Sequence, residues 1–193
     1  MQRFPIVLDL ETKYTFREFN DHRKLGISIA VIYDYADNKA KAYLENEIPK
    51  LFPILENASY IIGYNSRSFD IPVLQAYYPG DTTNFTQFDI LEDIKDKLGR
   101  RLALNDVVYA TLGKKKTGHG LMAIDMYREG RIDELRDYCL NDVMVTKDLL
   151  DHGVKHGEIN YIDEIGKKSI KVDWKKYVEE QGDSKDMPLT LPF

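Results

Sequence analysis

Residues 4–11 read FPIVLDLE and residues 27–33 read ISIAVIY. Both runs are short, apolar and rich in branched side chains. That pattern marks buried strands, the first over residues 4–10. Asp37, Asn38 and Lys39 then supply turn chemistry, so residues 40–44 are expected to return as the second arm of a hairpin. The stretch between the first two strands, residues 12–25, is too charged to be core.

Beyond the hairpin the periodicity alternates. Residues 47–57 have helical spacing, with Ile48, Leu51, Phe52 and Leu55 on one face. Pro49 fits the first turn, whereas Pro53 is expected to kink or shorten the helix. A short strand over residues 60–62 ends at Gly63. A helix starting at Ser68 or Phe69 and running to 77 follows, then a fifth strand over residues 85–90. From Leu91 to Gly153 the pattern is helical, broken at Gly99, across residues 113–120 and at Gly130. The last long helix is expected over residues 132–150, with Leu135, Cys139, Val143 and Leu150 on its buried face.

Residues 159–162 and 169–172 can pair as a hairpin across 163–168, and the polar end from about Gln181 is expected to be mobile. The order specifies a mixed α/β chain: about five strands flanked by helices, with a helical C-terminal half. The division is a core over residues 1–157 and a C-terminal extension over 158–193.

Composition narrows the function. A chain of 193 residues with 43% hydrophobic and 31% charged residues is ordinary for one globular domain. Its net charge of −5 disfavours a protein that coats nucleic acid through a basic surface. One Cys excludes an internal disulfide framework and a Cys-based zinc site. No apolar run approaches the ~20 residues of a transmembrane helix, and the N-terminus lacks the features of a secretory signal. A soluble, cytoplasmic location with no membrane partner is expected.

Three places carry acids in patterns that suggest chemistry. Asp9 and Glu11 end the first strand, two apart and therefore on one face, with Leu8 and Leu10 on the other. Paired carboxylates repel unless a cation neutralises them, and oxygen ligands suit Mg²⁺ or Mn²⁺. Asp70 follows a glycine-containing loop, residues 63–69, at the start of a helix, where the dipole favours an acid. Tyr138 and Asp142 are four apart, on one face of the long helix. Each pattern alone is more often structural: a solvated pair, a first-turn acid, a core-edge tyrosine.

Together they resemble the three motifs of the DEDD 3′–5′ exonucleases, a family with a ribonuclease H-like fold that includes polymerase proofreading domains. Asp9-Leu10-Glu11 matches the first motif, Asn65 with Phe69-Asp70 the second, and Tyr138 with Asp142 the tyrosine form of the third, DEDDy. The resemblance spans residues 4–150. The histidine form would need His-x-x-x-x-Asp, but Ile124 stands five residues after His119. His152 and His156 read as charges at a helix end, not as ligands.

The resemblance implies an enzyme that releases nucleoside 5′-monophosphates from a nucleic-acid 3′ end, with single-stranded DNA preferred over RNA. It implies two Mg²⁺ or Mn²⁺ ions. Asp9, Glu11 and Asp142 would hold the ion that activates water, and Asp9 would bridge to a second ion supported by Asp70. Tyr138 would orient the attacking water. Thr12, Asn65 and Phe69 would lie near the terminal nucleotide, although Phe69 can equally be core. Residues 114–120 (KKKTGHG) are read as a solvated loop rather than a phosphate clamp, and Arg100 and Arg101 are open between those two roles. A helicase or polymerase partner could deliver the strand end. The competing readings are a non-catalytic docking module and a metal-dependent endonuclease on the same fold.

Overall fold

The computed structural model of the chain describes residues 2–114 and 120–179. At its centre is β1 (Ile6–Thr12), paired antiparallel with β2 (Ile27–Asp34), which pairs antiparallel with β3 (Lys39–Leu44). On its other edge β1 pairs in parallel with β4 (Ile61–Gly63), which pairs in parallel with β5 (Gln87–Asp89). The result is a five-stranded mixed sheet of order β3-β2-β1-β4-β5.

Alternation along β1 splits the core into two clusters. Ile6, Leu8 and Leu10 pack with α1 (Ile48–Asn57) and α2 (Asp70–Leu74), through Leu51, Leu55, Ile71 and Leu74. Val7 faces the opposite way, toward α3 (Ile90–Leu98), α4 (Leu104–Leu112), α5 (Gly120–Arg128) and α6 (Ile132–His156). The sheet is therefore a middle layer covered on both faces, which is why β2 is buried at all eight positions. Pairing of Glu11 with Ile29 and of Thr12 with Ile27 leaves Ser28 as an extra residue on β2. This bulge turns Ile27 into the same cluster as Leu10 and bends the sheet beside the paired acids.

Several expectations shift. Residues 12–25 are not wholly outside the core, because Leu25 is completely buried. The Lys13 and Tyr14 N–H groups donate to the Leu25 carbonyl, so the segment closes on its own base and turns its charges outward. Pro53 does not shorten α1, which continues to Asn57. The fifth strand is only Gln87–Asp89, and α2 ends at Leu74.

The largest difference is at α6, which does not stop at residue 150 but runs 25 residues to His156, capped by Gly157 at φ +67°. Gly153 lies inside it because Trp174 packs directly against that position. A Cβ there would fall 2.2 Å from the Trp174 ring. Trp174 is buried and its indole N–H donates to Asp93 at 2.8 Å. Helical propensity alone disfavours Gly by about 1 kcal/mol, and the close approach of the indole offsets it.

The C-terminal hairpin is present as β6 (Glu158–Asp163) and β7 (Gly166–Lys171), with Ile159 opposite Ile170. The Asp163 carboxylate accepts from the N–H groups of Ile165 and Gly166, so the turn is tighter than the expected 163–168 link. Ile159, Ile170, Val172 and Trp174 belong to the cluster under α4 and α6. In α7 (Lys175–Val178), Tyr177 stacks on Phe88 with ring centroids 3.7 Å apart. The polar end from Gln181 lies outside the described residues. Among those described, no helix is long and apolar enough to cross a membrane.

Gly153→Ala tests this packing. Propensity favours the substitution, but overpacking against Trp174 should reverse the sign and cost about 1–3 kcal/mol in urea unfolding. A stabilised variant would show that the indole yields freely.

Candidate metal centre and cleft

The site forms where β1 and β4 end. Asp9 and Glu11 share the face of Val7 and so turn toward α6. Asp142 is almost fully buried on α6, one turn after the equally buried Tyr138. One carboxylate oxygen from each of Asp9, Glu11 and Asp142 lies within 4.8 Å of the others. At that separation two unit charges repel by about 3–4 kcal/mol at an effective dielectric of ~20. Three such pairs are large against a folding stability of ~5–15 kcal/mol. A bound cation or bound protons would relieve this repulsion.

Asp70 approaches from the α2 side of the sheet. Its Oδ1 accepts the Leu10 backbone N–H at 3.0 Å, which ties the head of α2 to the strand between Asp9 and Glu11. Burial first, and then the charge of Asp9, push the Asp70 carboxyl well above its ordinary value, against the lowering effect of the Leu10 bond. A dipole-stabilised acid at an exposed helix start would be shifted down, so Asp70 is placed for something other than capping its own helix.

Cys139 is the contact that sequence reasoning assigned only to the core. Its thiol donates to the Asp9 backbone carbonyl at 3.7 Å and to Asp9 Oδ2 at 3.5 Å. Burial, followed by the charges of Asp9, Glu11 and Asp142, pushes its pKa well up, so it stays a neutral thiol.

The loop between β4 and α2 depends on two special positions and one acid. A Cβ on Gly63 would fall 2.5 Å from Ser66 and 3.1 Å from the Leu8 carbonyl, so only glycine allows this loop to fold back on β1. Asn65 has φ +68°, a left-handed conformation that asparagine tolerates. Asp89, buried at the end of β5, accepts from the N–H groups of Asn65 (2.9 Å) and Arg67 (3.0 Å). It also caps α3 through the Leu91 N–H at 2.9 Å and the Glu92 N–H at 3.3 Å. Asp89 was missed as a site-building residue. Its signal was an Asp before a helix with Glu three positions later, a helix-start signature. Its reach to the 65–67 loop has no such signature.

A cleft of about 530 Å³ is lined by Asp9, Glu11, Thr12, Asn65, Phe69, Asp70 and Asp142. Tyr138 does not line it. The Thr12 hydroxyl donates to the Tyr14 carbonyl at 2.9 Å and the Asn65 side-chain oxygen accepts from the Arg101 guanidinium. Phe69 is half-buried: it packs on the α1/α2 cluster and also meets Phe16 and His22 edge-on. A larger cavity of about 570 Å³, lined by Asp21, His22, Ile71, Pro72 and Phe85 among others, holds none of the four carboxylates. All four carboxylates line the smaller cleft instead.

The basic residues separate. Arg101 is bonded to Asn65, whereas Arg100 lies over the Tyr161 ring at 5.5 Å. Lys114 pairs with Asp148 at 2.6 Å. Residues 115–119, His119 included, lie outside the described residues. The rings of His152 and His156 meet at a tilt, with centroids 4.3 Å apart, in the last turns of α6, and burial, then the charge of His156, holds His152 below its usual value.

No family model matches the chain, and no curated protein matches it. The short motifs and the geometry built on them stand by themselves.

Two stability measurements follow from the charge cluster. Asp142→Asn should raise the melting temperature of the chelator-treated protein, and Mg²⁺ or Mn²⁺ should stabilise the wild type more than this variant. A variant less stable than wild type in chelator would contradict net repulsion. For Asp70 the native state holds a proton more tightly than the unfolded chain. Its contribution is therefore fully present below the ordinary value of 3.8 and is lost as pH rises through the raised folded value. Metal-free wild type should lose stability with rising pH over that range more steeply than Asp70→Asn, as read by urea titrations at several pH values.

Proposed function

We propose that the chain is a metal-dependent 3′–5′ exonuclease of the DEDDy type on a ribonuclease H-like scaffold, acting on single-stranded nucleic acid and preferring DNA. The observation that carries this reading is convergence. Asp9, Glu11 and Asp142, together with Asp70, come from three distant parts of the chain and meet at one end of the sheet. The sheet order, with three antiparallel strands followed by two parallel ones, is compatible with that scaffold.

The donor set fits a hard divalent cation. All its atoms are carboxylate oxygens, three of them mutually within 4.8 Å, and their repulsion is relieved by positive charge. Asp9, Glu11 and Asp142 would hold one Mg²⁺ or Mn²⁺, and Asp70 with Asp9 a second. When bound, such ions lower the pKa of water and neutralise the charge that develops on phosphate oxygens.

The protein's own groups do the rest. Tyr138 would serve to orient the attacking water rather than to deprotonate it, since a phenol is a poor base at neutral pH. Cys139 donates to Asp9 and fixes its rotamer. The Leu10 N–H holds Asp70 in place. Asn65 and Phe69, on the loop that Asp89 anchors, position the terminal nucleotide.

A time course on 5′-labelled single-stranded DNA and RNA of one sequence tests the reading. It predicts a ladder shortening one nucleotide at a time from the 3′ end, dependent on Mg²⁺ or Mn²⁺ and reduced at least ~10³-fold by Asp9→Ala or Asp142→Ala. Tyr138→Phe should lower the rate ~10–100-fold while metal affinity stays near wild type. Internal cuts would indicate an endonuclease. A folded, metal-binding protein that degrades neither strand would indicate a docking module, and activity in excess chelator would refute the metal mechanism.

A further inference from the structure

Eight large hydrophobic side chains are exposed among the described residues, and three of them line one cleft. Tyr14, Phe16 and Phe19 lie on the loop after β1, and Leu121 and Met122 at the start of α5. Tyr14, Phe16 and Leu121 line the cleft that holds the carboxylates. Exposed apolar surface gathered at a polar site marks a contact surface.

The central ring is Phe16. It is 44% exposed although it sits 4.7 Å from His22 and 5.8 Å from Phe69, edge-to-face with both. His22 is itself held, its Nε2 3.0 Å from the Ser68 carbonyl. The loop is fixed on the other side as well: the Thr15 N–H and hydroxyl donate to Glu18, and Glu18 pairs with Arg128 of α5. Phe16 is thus an open aromatic ring on a braced loop, so a flat ligand loses little entropy in ordering it.

Charge identifies the ligand class. Lys13, Arg67 and Arg128 are paired with Glu45, Glu92 and Glu18. Arg101 is exposed, bonded to the neutral Asn65 side chain, and forms no ion pair with a carboxylate among the described residues. An aromatic ring, a cation left for phosphate and a carboxylate floor that attracts divalent ions together suit an unpaired nucleotide strand. A duplex would keep its base faces stacked on one another and could not offer one to Phe16.

We propose that Phe16, braced by His22 and Phe69, is a stacking platform for one nucleobase of a single-stranded substrate, with Arg101 holding the adjoining phosphodiester. This rests on the nuclease reading for its substrate class, and binding tests it without turnover. In Asp142→Asn with Mg²⁺, fluorescence anisotropy would report the affinity of a 5′-labelled single-stranded 12-mer. Adding Phe16→Ala should weaken it roughly 5- to 150-fold. Phe16→Leu, which keeps the apolar bulk but has no ring, should weaken it similarly, whereas Phe16→Tyr should not. A single abasic site moved along the 12-mer should reproduce the loss at one position and have little further effect there in Phe16→Ala. Arg101→Met should lower the salt slope of binding by about 1.

Wild-type affinity in both Phe16→Ala and Phe16→Leu would overturn the proposal, even if the intact enzyme shortens DNA. So would failure of any oligonucleotide to bind, which would favour a protein ligand at this wall. Phe16-dependent binding by a wild-type protein that shortens no strand would instead sink the exonuclease reading and leave this one standing.

Discussion

Mutual repulsion among acids that the fold will not let separate is the constraint around which this molecule is built. β1 is buried on both faces, and its rigidity fixes the direction of Asp9 and Glu11. α6 brings Asp142 against them from above one face, and α2 brings Asp70 from the other. In an exposed loop these side chains would swing apart into water. On a central strand and a long packed helix they are held together, an arrangement that a bound cation would relieve.

Several contacts that hold the acids come from neutral or backbone groups. The Leu10 N–H binds Asp70, the Cys139 thiol binds Asp9, and Asp89 gathers four backbone N–H groups from two segments. Neutral donors fix geometry without adding positive charge at those positions. Lys13, Arg67 and Arg128 pair with carboxylates, and Arg101 differs from them by resting on an amide.

The C-terminal hairpin and α7 steady this arrangement at a distance. Trp174 locks onto Gly153 of α6 and donates to Asp93 of α3, while Tyr177 stacks on Phe88 of β5. The helix that carries Asp142 and the strand that ends in Asp89 are thus gripped by the same short segment. The extension read from the sequence as a separate addition shares its core with the motif-bearing part.

The sequence by itself determined the mixed α/β class, the central apolar strand, the hairpin after it, the long amphipathic helix and the candidate acids. Those features are local: strand alternation places Asp9 beside Glu11, and helical spacing places Tyr138 over Asp142. Asn65 was legible as a turn residue, and its positive φ agrees. The tertiary structure decided the rest. Only packing could show that α6 passes through Gly153, because the cause is an indole 21 positions later in the chain. Only packing could separate Arg101 from Arg100, give Asp89 its second role and set Cys139 against Asp9. Each of these depends on contacts between residues far apart in sequence. Local periodicity carries no record of such contacts, since it reports which face a residue occupies and not what meets that face.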